Sequence, residues 1–94
     1  MKVLEIRGEL TRVDEIKNDM RALQHAVDGY IETVWLSGNA VMIVDEEGML
    51  KNKPYNALAS LIARTCIYGT ALIVGTAGEE FTDCPFEYIR DFSA

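Results

Sequence analysis

Carboxylates are the most plentiful reactive side chains in this sequence, and they gather at two points. Asp45, Glu46 and Glu47 stand together before Gly48, and Glu79, Glu80 and Asp83 stand together after Gly78. A pair of such groups can act as acid and base in glycoside hydrolysis, one protonating the leaving oxygen while the other activates water or attacks. That role needs an apolar pocket to raise the pKa of one member. Neighbouring acids on a turn are ordinarily solvated, and no apolar pocket is evident around either trio. Two readings are left: a contact surface for a basic partner, and a merely solvated edge.

Other catalytic constellations fail for lack of parts. His25 is the only histidine, and Cys66 and Cys84 lack the spacing of a zinc set, so no metal site can be assembled. His25 reads as an exposed or capping side chain. Gly75-Thr76-Ala77-Gly78 follows a strand-like run but has neither the lysine nor the frame of a phosphate loop. Ser37, Ser60 and Ser93 have no nucleophile-elbow context around them. The expectation is therefore a protein that is not an enzyme and carries no cofactor or metal. Tyr30, Trp35, Tyr55 and Tyr68 are candidates for a binding patch, with Trp35 and Tyr55 as its apolar anchors, since Trp and Tyr favour interfaces.

Composition agrees with a binding role. The chain has 94 residues, 49% hydrophobic and 26% charged, which suits one globular domain over residues 1–94. Its net charge of −6 and pI near 4.6 repel phosphate backbones and anionic membranes, and favour encounter with a basic protein. Direct nucleic-acid or membrane binding is not expected. There is no signal-peptide pattern and no apolar run of about 20 residues, so a cytoplasmic location with free thiols is expected.

Local patterns place these groups on elements. Residues 29–44 form the central hairpin: Tyr30, Glu32, Val34 and Leu36 alternate with Ile31, Thr33 and Trp35. Ser37-Gly38-Asn39 then makes the turn into an apolar run. Strands are expected over residues 2–7 and 12–17. A short helix over residues 19–28 is capped by Asn18 or Asp19, with Gly29 as its C′ residue. A second helix is expected over residues 55–63, with Ala57, Leu58, Leu61 and Ile62 inward. Residues 67–74 read as an interior strand, with Cys66 packed near its start, and Gly75 to Gly78 ends it. Asp83 or Cys84 caps a last helix with Pro85 in its first turn and Phe86, Ile89 and Phe92 inward. The fold class is α+β: a curled, mostly antiparallel sheet of about five strands with two or three short helices. Trp35 and the pair Val34 and Leu36 lie on opposite faces of this sheet. If the helices cover one face only, a homodimer or a partner must cover the other.

Several stretches together resemble a known family. They are Leu23-Gln24, Val27-Asp28-Gly29-Tyr30-Ile31-Glu32, Asp45-Glu46-Glu47-Gly48, Pro54-Tyr55-Asn56-Ala57-Leu58, Gly69-Thr70-Ala71-Leu72-Ile73-Val74-Gly75 and Gly78-Glu79-Glu80-Phe81. In this order and spacing they resemble the domain of unknown function 3846 family, from Lys2 onward. Between Leu58 and Tyr68 the sequence departs from the pattern, where relatives carry a shorter polar connector. The resemblance implies a setting in phages and mobile elements, and by analogy a non-enzymatic inhibitor of host defence, such as an anti-CRISPR protein. Its partner would be a basic host protein such as a Cas9-type effector, met through Asp45, Glu46, Glu47, Glu79, Glu80, Asp83, Trp35 and Tyr55. One alternative is a module that sequesters a nucleotide defence signal, for which Arg64, Lys51, Lys53 and Arg90 are the available cations; another is an accessory domain of unknown role.

Overall fold

The computed structural model describes residues 1–93. Its elements, in chain order, are β1 (Lys2–Arg7), β2 (Leu10–Glu15), α1 (Met20–Val27), β3 (Ile31–Ser37), β4 (Ala40–Asp45), α2 (Ala57–Ala63), β5 (Ala71–Ala77), β6 (Glu80–Thr82) and α3 (Phe86–Phe92). The strands form one antiparallel sheet in the order β2-β1-β5-β4-β3, with β6 pairing β5. This is the expected α+β class, with one strand more than the sequence suggested.

Both faces of the sheet are covered. Leu4, Ile6, Met42, Val44, Ala71 and Ile73 face α2 and α3, and Val34 and Leu36 pack beside them. Val3, Val41, Ile43, Leu72 and Val74 face Leu23 and Val27 of α1. The continuous apolar runs of β4 and β5 follow from this, because strands buried on both sides have no polar face to alternate with. Each fully buried aliphatic side chain contributes roughly 1.5–3 kcal/mol, so these two strands anchor the fold.

Several boundaries differ from the local reading, each for a visible reason. β2 starts two residues earlier than expected, at Leu10, because Gly8 at φ +61 turns the chain at once. α1 is capped by Asp19, whose side chain accepts from the Ala22 amide at 2.8 Å. Its left-handed terminal residue is Asp28, at φ 57, and not Gly29. Gly69 at φ +89 delays β5 to Ala71. Tyr68, expected in that strand, makes only an isolated bridge to Tyr55. Cys66 is exposed and not packed at a strand start, while Cys84 is buried.

β5 then runs through Gly75, where the expected break would have come. A Cβ there would stand 2.7 Å from the Asp83 carbonyl oxygen, so glycine is what lets β6 fold back alongside. In α2 the buried residues are Ala59 and Ser60, with Leu58, Ile62 and Ala63 packed beside them. Ala57 and Leu61 face outward instead. In α3, Pro85 occupies the N-cap, so the inward stripe is Tyr88, Ile89 and Phe92, and Phe86 is exposed.

One buried polar residue holds three segments together. Asn56 is 1% exposed. Its Oδ1 accepts from the Ala59 amide at 3.1 Å, capping α2, and its Nδ2 donates to the carbonyls of Ile6 and Gly69, each at 2.9 Å. Every polar atom of the side chain is used, which is what allows it to sit in the core.

Candidate functional site

The register of the sheet separates the two acidic trios. Ala40 lies opposite Gly75 and Ile43 opposite Leu72, so Asp45 is level with the start of β5, whereas Glu79 and Glu80 follow its end. At ~3.3 Å per residue, the seven residues of β5 put these turns roughly 20 Å apart, at opposite ends of the sheet. They do not form one surface.

Asp45 is not a surface acid. Its side chain is fully buried and paired with Lys53 at 2.6 Å and Lys51 at 3.0 Å. Its Oδ1 also accepts from the Glu47 amide at 3.0 Å. Burial alone would raise this carboxyl, but the hydrogen bonds from Lys53, the Glu47 amide and Lys51 outweigh it and hold the group below its ordinary 3.8. The two lysines do a second job. Lys53 Nζ donates to the carbonyls of Val27 and Asp28, each at 2.8 Å, and Lys51 Nζ reaches the Asp28 carbonyl at 3.2 Å. Positive charge thus sits on the open carbonyls at the C-terminus of α1, where the helix dipole favours it. The sequence suggested Asp45 as a partner contact; the structure makes it the internal anchor of a clamp between β4, α1 and the loop that follows.

That clamp, with a set of backbone bonds, fixes the loop over residues 46–54. Gly48 donates to the Asp45 carbonyl at 3.1 Å, Lys51 to Glu47 at 3.0 Å, Asn52 to Met49 at 3.1 Å and Lys53 to Gly48 at 3.0 Å. A Cβ on Gly48 would run into the Tyr68 carbonyl oxygen, so the loop also lies directly against that segment. What it presents outward is Glu46 and Glu47, neither of them in an ion pair among the described residues, and then Met49 and Leu50, 64% and 77% exposed. Exposed Tyr55 stands edge-on to Tyr68, ring centres 5.5 Å apart. Exposed Tyr30 accepts the Glu46 amide on its carbonyl at 3.0 Å. A shallow groove of about 300 Å³ lies here, lined in part by Glu32, Met49, Cys66 and Tyr68.

A family model described as Domain of unknown function (DUF3846) matches residues 1–94. The chain belongs to that family. No curated protein and no solved structure matches it. In this DUF3846 chain the stretches that carried the resemblance build the framework just described. Residues 27–32 supply the carbonyls and the glycine of the clamp, Asp45 its anion, and Asn56 the buried cap.

The remaining expected site residues are dispersed. Glu79 and Glu80 are exposed at the far end of the sheet. Asp83, also exposed, accepts the Lys2 amide at 2.8 Å and so fastens the start of β1. Trp35 is 68% exposed on the α1 side of β3, its indole donating to the Gly38 carbonyl at 3.1 Å, away from Tyr55. Of the eight residues, Asp45, Glu46, Glu47 and Tyr55 share one end of the molecule, and of these Glu46, Glu47 and Tyr55 are exposed. Tyr30, also a patch candidate, joins them there, and so do Met49 and Leu50, which no sequence motif marks as part of a contact. The available signal was two large apolar residues in succession, Met49-Leu50, between Gly48 and Lys51 in a stretch with no strand or helix period.

The cations proposed for a nucleotide ligand are mostly engaged. Lys51 and Lys53 hold Asp45, and Arg90 pairs with its neighbour Asp91 at 2.9 Å. Arg64 alone of the four has no ion pair among the described residues. It borders a groove of about 470 Å³ whose acids are Glu87 and Asp91. Among the described residues, no three His, Cys, Asp or Glu side chains are grouped to hold a metal ion. Among the described residues, no helix is long and apolar enough to cross a membrane.

Proposed function

We propose that this DUF3846 protein is a non-enzymatic binding module that docks onto a basic protein surface through the loop end of its sheet. The observation that carries this reading is the pairing of Met49 and Leu50, exposed side by side, with Glu46 and Glu47 on a loop already held rigid from beneath. Large apolar side chains supply interface energy when a partner covers them, and flanking charge selects the partner and speeds the encounter. A loop ordered before binding loses little conformational entropy on docking. Tyr55 and Tyr30 extend the contact. Glu79, Glu80 and Asp83 lie elsewhere and contribute long-range attraction at most, and Trp35 lies outside the contact.

The narrowest form of the proposal is an inhibitor, encoded by a mobile element and acting in the host cytoplasm, that occupies the cationic nucleic-acid channel of a Cas9-type effector. Support for that form is the chain's net charge of −6 together with the acidic loop. The test is inhibition of DNA cleavage by a purified effector of this type. Full activity at saturating protein excludes this target and leaves other basic proteins as the partner.

A further inference from the structure

The two edges of the sheet are built differently. β2, on one side, carries Arg12, Asp14 and Glu15 among six residues, the charges by which edge strands ordinarily resist pairing. β3, on the other, is seven residues long, with Glu32 its only charge and no lysine or proline.

Its hydrogen-bonding sense follows from the register. Tyr30 continues the β3–β4 ladder opposite Glu46 and accepts its amide. In an antiparallel ladder the bonded positions alternate, so Glu32 and Val34 also turn their backbone groups to β4. The amides and carbonyls of Ile31, Thr33 and Trp35 therefore point away from the sheet, and they meet no other segment among the described residues.

From this we infer that β3 is a self-association edge, pairing antiparallel with β3 of a second copy about a two-fold axis through Thr33. The occupant follows from the register. With Thr33 opposite the partner's Thr33, Ile31 falls opposite the partner's Trp35, and Trp35 opposite the partner's Ile31. All three outward-facing residues of each copy then bond. On the α1 side, the 68% exposed indole gains a β-branched neighbour, a favourable cross-strand pair flanking a Thr–Thr pair. On the other side Glu32 meets the partner's Val34, so no like charges stand directly opposite. The register slip between Trp35 and Ser37 lies beyond the last of these pairs and limits the ladder to them. Each copy carries a charge of −6, so added salt strengthens this association, the reverse of its effect on an acidic protein meeting a basic one. The inference is independent of the loop-end proposal: Tyr30 and Glu46 serve only to fix the register, and none of the residues paired across the axis belongs to the loop-end contact.

Sedimentation equilibrium over a concentration series, at low and high salt, tests it with the full chain. Thr33→Pro removes an amide that plays no part in the β4 ladder, and an edge strand tolerates proline at such a position. Thr33→Lys brings two cations together across the axis and decides the matter if the proline variant does not fold by circular dichroism. The expected result is a monomer–dimer equilibrium in the parent, tighter at high salt and weakened about tenfold or more by either folded variant. A parent that stays monomeric throughout, or a dimer that folded Thr33→Lys leaves intact, overturns the assignment.

Discussion

Gly29 lies so close to Asp45 that a side chain on the glycine would occupy the space of the aspartate's carboxylate. An added Cβ would collide with Oδ1 and would stand 2.7 Å from Lys51 Nζ. The glycine is therefore required by a contact, and the left-handed turn at the end of α1 is taken by Asp28 beside it.

Gly29→Ala is accordingly expected to act through Asp45. Breaking a buried ion pair costs about 3 kcal/mol, and Asp45→Ala should lose an amount of that order in urea unfolding. Gly29→Ala should cost a similar amount alone but much less in the Asp45→Ala background, a coupling of about 1–3 kcal/mol in the double-mutant cycle. Additive losses would mean that the glycine serves the backbone and not the clamp.

Acid should expose the same clamp. The Asp45 carboxyl is held below its ordinary 3.8 against the pull of burial. Asp19 is lowered chiefly by the Ala22 amide, and Asp91 by Arg90. A carboxylate whose folded pKa is depressed contributes stability that is complete above its unfolded value and lost as pH falls through the folded one. Asp19 and Asp91 are solvated and contribute little. The urea midpoint should therefore fall as pH drops below about 4, and Asp45→Asn should flatten that fall while lowering stability at neutral pH.

Asn56→Ala should be among the most damaging single changes. It removes the α2 cap and leaves the Ile6 and Gly69 carbonyls without their donor. A lost cap, one unsatisfied buried acceptor and one partly buried acceptor together cost about 2–4 kcal/mol. Thermal unfolding measures it; a loss within the error of a surface substitution would contradict the assigned role.

The two thiols should differ in reactivity. Burial pushes Cys84 up to about 11, while Cys66 is exposed. Iodoacetamide at neutral pH should label Cys66 in the native protein and reach Cys84 only on unfolding, because the thiolate is the reacting species. Mass spectrometry of the labelled protein reads both sites.

What the sequence revealed was local. The hairpin through Ser37-Gly38-Asn39 was legible because alternation and turn residues sit side by side. The interior place of β5 was legible because Leu72, Ile73 and Val74 leave no polar face. The fate of Asp45 was not legible. Its lysine partners come six and eight residues later, on a loop whose return path no periodicity records. Nor could residue spacing show that Glu46 and Glu79 lie at opposite ends, since that depends on strand order. Gly29 looked like a helix terminator because helices commonly end on glycine. Its actual requirement is a neighbour from another strand.

The most direct test of the binding account compares the two ends of the sheet in one capture experiment. Tagged parent, a loop-end variant (Glu46→Lys, Glu47→Lys, Leu50→Ser) and a far-end variant (Glu79→Lys, Glu80→Lys) are used to retain proteins from a bacterium carrying several defence systems. Circular dichroism first checks that the two variants keep the fold of the parent. A basic protein retained by the parent and the far-end variant, released by salt and lost with the loop-end variant, is the predicted result. Retention unaffected by the loop-end changes, or no specific protein retained by the parent, would contradict it.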